Sequence, residues 1–92
     1  MKVKPVERNG VIIGYLVESP MSGELYCFYT KEAYTIKEAG NNCYWEFNGD
    51  YEKPTFKPSM MNTKTKEHFF VTDGKIRYLD IPNLVVDMVD IE

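Results

Sequence analysis

The sequence predicts a mainly β protein, a small antiparallel β sandwich or open barrel of about seven strands with at most one short helix. Apolar segments flank Asn9-Gly10 and again Asp73-Gly74, and such dipeptides supply the positive φ angles that two-residue hairpin turns require. Short runs rich in Val, Ile, Tyr and Phe recur at close spacing, each bounded by Gly, Pro, Asn or Asp, which is how the strands of an all-β domain are punctuated. Helix-forming composition is confined to one short segment, Lys31 to Ala39. At 92 residues the chain has room for a single β domain, 1–92, large enough to stabilise itself without cross-links.

Residues 3 to 18 form the first hairpin. A two-residue loop at Asn9-Gly10 pairs Arg8 with Val11 and Val6 with Ile13. Val11, Ile13, Tyr15 and Val17 then share one face, and Ile12, Gly14 and Leu16 the other, so the strand is covered on both sides or keeps one face for a partner. Ser19 to Gly23 is a loop by composition. Leu25 to Tyr29 alternates as a third strand. In Lys31 to Ala39, Glu and Ala favour helix while Tyr34-Thr35-Ile36 favours strand; a helix of one or two turns, or an irregular loop, ends at Gly40.

Cys43 to Phe47 is the next strand, with Trp45 and Phe47 on one face. The chain reverses through Asn48-Gly49. Pro54 and Pro58 then force Lys53 and Lys57 toward extended geometry and remove two backbone donors. The segment therefore reads as an edge or crossing strand rather than a central one, with Phe56 as a wedge. After the polar loop 62–67, His68 to Thr72 and Lys75 to Asp80 form the second hairpin, and Leu84 to Ile91 has strand composition with Asp87 and Asp90 on its solvent side.

Composition bounds the function. A net charge of −3 and a pI near 5.2 argue against general nucleic-acid binding, which needs surplus Lys and Arg to neutralise phosphates. Thirteen aromatic residues, seven of them tyrosines, supply a core and lean toward a recognition surface. No apolar run approaches a membrane span. Charges at Lys2, Lys4, Glu7 and Arg8 interrupt any signal-peptide pattern, so the expected compartment is the cytoplasm, with Cys27 and Cys43 as buried thiols.

Candidate chemistry centres on His68, the one histidine. Counting from Asp73-Gly74 pairs Phe70 with Arg77 and His68 with Leu79, so 68, 70, 77, 79, 81 and 83 fall on one face. His68 is then a hydrogen-bonded strand residue or a ligand contact beside Arg77 and Tyr78. No Ser-His-Asp or Cys-His pairing can be argued from spacing, and Glu46 and Asp50 beside the Asn-Gly turn read as solvated carboxylates. The mixture of aromatic and basic residues suits base stacking with phosphate contact, or a protein-binding hot spot. The candidate contact set is Trp45, Tyr51, Lys53, Phe56, His68, Arg77 and Tyr78.

The stretch Trp45 to Ser59, with Trp-x-Phe-Asn-Gly running into Lys-Pro-Thr-Phe-x-Pro-Ser, followed by His68 and by Gly74-x-Ile76-x-Tyr78-Leu79-Asp80, resembles the core motif of a family of small proteins common in phages and prophages, sometimes labelled ammonia monooxygenases. The resemblance covers roughly residues 43 to 83 and implies a fold more firmly than an activity. In that family, positions matching 67, 68, 81 and 83 are Cys, His, Cys and His, a credible zinc set. Here they are Glu67, His68, Ile81 and Asn83, so the sequence implies no metal and no cofactor.

The expectation is thus a non-catalytic binding protein, a phage or prophage accessory factor that inhibits or adapts a host protein, such as a defence protein, by direct contact in the host cytoplasm. The alternative is a small-ligand module that sequesters a nucleotide-like molecule across a symmetric homodimer. A degenerate zinc-binding domain comes third.

Overall fold

The computed structural model describes residues 1–32 and 44–91. Among the described residues eight strands run in chain order: β1 (Lys4–Arg8), β2 (Val11–Glu18), β3 (Leu25–Tyr29), β4 (Glu46–Phe47), β5 (Phe56–Met61), β6 (His68–Thr72), β7 (Lys75–Tyr78) and β8 (Val85–Asp87). They form two antiparallel sheets of sequential strands, β1-β2-β3 and β4-β5-β6-β7-β8. The mainly β expectation holds. Lys31 and Glu32 have helical backbone geometry, and the rest of the ambiguous Lys31 to Ala39 segment, like Cys43, lies outside the described residues. No helix among the described residues is long and apolar enough to cross a membrane.

Both hairpins close as the dipeptides require. Asn9 and Gly10 have φ of 54° and 79°, and Asp73 and Gly74 of 51° and 78°, the paired positive values of a turn whose twist matches the flanking strands. The first register departs from simple counting. Arg8 pairs with Val11 and Glu7 with Ile12, but a bulge then sets Val6 against Gly14 instead of Ile13. Gly14 is fixed by a close approach: a Cβ there would stand 2.8 Å from the Phe28 carbonyl oxygen.

The core lies between the sheets. Val17, Tyr26 and Phe28 from the first meet Phe56, Met60, Phe69, Val71, Ile76 and Tyr78 from the second. Phe28 stacks on Phe56 at 4.5 Å between centroids, and Phe56 on Phe47 at 4.8 Å. Phe56 is therefore a wedge, as its flanking prolines suggested. At one corner the Trp45 amide donates to the Tyr29 carbonyl at 2.7 Å, tying β3 to the entry of β4.

Two expectations about the central stretch are corrected. Asn48-Gly49 does not close a tight hairpin: Glu46 pairs with Lys57 and Phe47 with Phe56, so residues 48–55 form a longer loop. Asn48 organises it, its Oδ1 accepting from the Asp50 and Thr55 amides and its Nδ2 donating to the Lys53 carbonyl. Nor is the Pro54–Pro58 segment at an edge, since β5 lies between β4 and β6. Proline is tolerated there because the ladder is interrupted: Phe56 pairs with Val71 and Met60 with Phe69, so Lys57, Pro58 and Ser59 face the single residue Phe70. The missing proline donor falls where no ladder bond is made.

Candidate active site

The pairing of β5 with β6 determines where Ser59 points. Met60 and Phe69 pair with their side chains in the core, and Met61 pairs with His68 on the opposite face. Strand alternation places Ser59 on that outward face too, diagonal to His68. Ser59 Oγ lies 2.9 Å from His68 Nε2. With the imidazole proton on Nδ1, the hydroxyl donates to Nε2, the arrangement in which a histidine activates a serine.

The chain has three serines and one histidine, and the other two serines are committed elsewhere. Ser19 is fully buried, donates to a Glu67 carboxylate oxygen and lies 3.0 Å from the Tyr78 hydroxyl. Ser22 donates to the other Glu67 oxygen at 2.6 Å. Ser59 alone among them bonds the imidazole. Its backbone is held in turn: Trp45 Nε1 donates to the Ser59 carbonyl at 3.2 Å, and the Leu79 amide donates to the His68 carbonyl at 2.8 Å. Both partners of the dyad thus sit on paired strands rather than on a free loop.

Among the described residues Cys27 and Tyr15 lack this geometry. Burial pushes the Cys27 thiol up, away from the reactive thiolate. Burial and the neighbouring Tyr51 hydroxyl push the Tyr15 phenol up to about 12, so it stays neutral at physiological pH.

Beside the dyad, Glu67 is the hub of a polar cluster. Tyr26 donates to the same carboxylate oxygen as Ser22, at 2.6 Å, and lies 2.8 Å from Thr65 Oγ1. Burial raises the carboxyl, but the hydroxyls of Ser19, Ser22, Tyr26 and Tyr78 more than offset it and hold Glu67 below the usual glutamate range. The cluster ties the Ser19–Glu24 loop to the segment that delivers His68. Among the described residues no group of three or more His, Cys, Asp or Glu side chains is placed to hold a metal ion. Ile81 and Asn83, two of the four positions of the implied zinc set, lie in the turn after β7 rather than on its strand face.

The seven expected contact residues do not converge. Phe56 and Tyr78, 1% and 4% exposed, belong to the core because alternation turns them inward. Trp45 and Tyr51 are half-buried, Trp45 against Phe28 and Tyr51 against Phe47 and Tyr15. Lys53 is exposed in the 48–55 loop. His68 and exposed Arg77 share the outward face, as the register from Asp73-Gly74 anticipated.

The family model described as bacterial ubiquitination-like system serine protease, BubE, matches residues 24–79, more than half of the chain. The chain belongs to the BubE family. No curated protein and no solved structure matches it. The match contains both Ser59 and His68. Membership in a family described as serine proteases overturns the expectation of a protein with no catalytic role. That expectation failed because spacing alone could not bring a serine and a histidine nine residues apart into contact. The pairing of β5 with β6 does so, setting Met61 opposite His68 and Ser59 diagonal to it.

Proposed function

We propose that this BubE-family chain is a serine peptidase, with Ser59 as nucleophile and His68 as general base, acting on a polypeptide of a bacterial ubiquitination-like system. The observation that carries the reading is the 2.9 Å contact between Ser59 Oγ and His68 Nε2; the family description supplies the reaction class and the system.

The chemistry follows from the pair. His68 Nε2 takes the hydroxyl proton as Ser59 Oγ attacks the scissile carbonyl carbon. The imidazolium returns that proton to the leaving group as the bond to it breaks. The acyl group left on Ser59 is then removed by water, whose proton passes through the same nitrogen. The Trp45 indole and the β5–β6 pairing hold nucleophile and base in register. Binding to a partner protein is part of this reading, because a peptidase on an open sheet face must engage its substrate by direct contact.

The test is covalent labelling with a fluorophosphonate, which forms a bond only with an activated serine. Labelling confined to Ser59, and absent in Ser59→Ala and His68→Ala, is the expected result. Undiminished labelling of His68→Ala, or none of the native protein, would remove the dyad from consideration.

A further inference from the structure

The outward face around the dyad carries large apolar side chains where a sheet facing water alone would carry polar ones. In the row of His68, Met61 stands on one side and Leu79 on the other, joined through its amide to the His68 carbonyl. In the next row Phe70 pairs with Arg77 and Arg77 with Val85. Met61 is 63%, Leu79 38% and Phe70 36% exposed. The imidazole thus sits between apolar side chains on neighbouring strands, which lie about 4.8 Å apart. Clustered apolar exposure of this kind marks a contact surface.

The dyad fixes what that surface meets. Attack requires the scissile carbonyl within about 3.5 Å of Ser59 Oγ. An extended peptide advances about 3.3 Å per residue, so the residues bordering the scissile bond come within reach of the outward face that carries Met61, Phe70 and Leu79. Arg77 lies beside Phe70, and among the described residues its guanidinium has no ion pair or side-chain hydrogen bond. It presents an unneutralised cation at the margin of the apolar patch.

We propose that Met61, Phe70 and Leu79 form the specificity surface, selecting an extended peptide with a large apolar side chain next to the scissile bond and a carboxylate within reach of Arg77. This rests on the peptidase reading of Ser59 and His68. The platform accounts for side chains that neither the core nor the dyad uses. Its apolar part excludes water from the reacting carbonyl, and Arg77 gives the substrate a direction.

The experiment compares rates of covalent labelling by peptidyl diphenylphosphonates carrying Leu, Gly or Lys at the residue bearing the phosphorus, with a simple fluorophosphonate as reference. Native protein is expected to react about tenfold faster with the Leu probe than with the Gly probe, the scale set by one or two methylene-sized contacts. In the double variant Phe70→Thr, Leu79→Thr the preference collapses toward parity, with retained fluorophosphonate labelling of Ser59 as the control that the dyad is intact. Arg77→Gln abolishes any advantage of an Asp or Glu neighbour in the probe. Equal rates for Leu and Gly in the native protein, or a preference that survives the double variant, would overturn the proposal even with Ser59 labelled normally. Failure of the fluorophosphonate to label Ser59 would instead remove the peptidase reading beneath it.

Discussion

Trp45 shows how one residue can serve packing and chemistry together. Its ring meets Phe28 edge-on at 5.4 Å, and its indole N–H holds the Ser59 carbonyl. Trp45→Phe keeps most of the ring and loses the donor. It should cost about 1 kcal/mol of stability in urea titration and slow fluorophosphonate labelling of Ser59 several-fold, whereas a purely structural role would leave labelling untouched. Glu67 makes a prediction in pH. Its carboxyl is lowered in the folded state, so on acidification the unfolded chain takes up the proton first. The stability Glu67 contributes is complete above the ordinary value of 4.5 and is lost as pH falls through the lowered one. Thermal melts from pH 7 to pH 3 should show the native protein losing stability more steeply below that value than Glu67→Gln.

At the scale of elements, strand pairing and its interruptions decide where side chains point. Gly14 in β2 lies where a methyl group would stand 2.8 Å from the backbone oxygen of Phe28. Gly14→Ala should therefore separate β2 from β3 locally and destabilise the fold by about 1–3 kcal/mol in chemical denaturation, although alanine is otherwise the better-ordered residue in a strand. The bulge in β5 is the more consequential interruption. Removing Lys57 shortens the bulge by one residue, so the inward facings of Phe56 and Met60 can no longer both be kept and Ser59 is displaced from its place diagonal to His68. The deletion variant should lose fluorophosphonate labelling, read by mass spectrometry, even where circular dichroism still reports β structure.

For the whole molecule, stability rests on aromatic contact between the β1-β2-β3 sheet and the β4-β5-β6-β7-β8 sheet. Phe56 touches both, stacking on Phe28 of β3 and on Phe47 of β4. Phe56→Ala should cost about 3–5 kcal/mol, a large share of the roughly 5–15 kcal/mol available to a domain of this size. A melting temperature lowered by well over ten degrees is the expected outcome. The dyad lies on the other side of the five-stranded sheet from this core, so substitutions of its outward neighbours should leave melting nearly unchanged while altering reactivity.

Much of this architecture was legible in the chain itself. Asn9-Gly10 and Asp73-Gly74 specify their hairpins locally, because positive φ at both positions is a property of those residues. From the second turn the facing of His68, Phe70, Arg77 and Leu79 followed by alternation. What sequence could not supply was the length of the 48–55 loop, the bulge between Val6 and Glu7, and the bulge at Pro58. Each depends on which residue of a distant strand lies opposite, a contest settled by packing across the core rather than by local preference. The meeting of Ser59 with His68 is the result of that contest: two ordinary residues become a reactive pair when β5 is laid against β6 with Met61 opposite His68 and Ser59 diagonal to it.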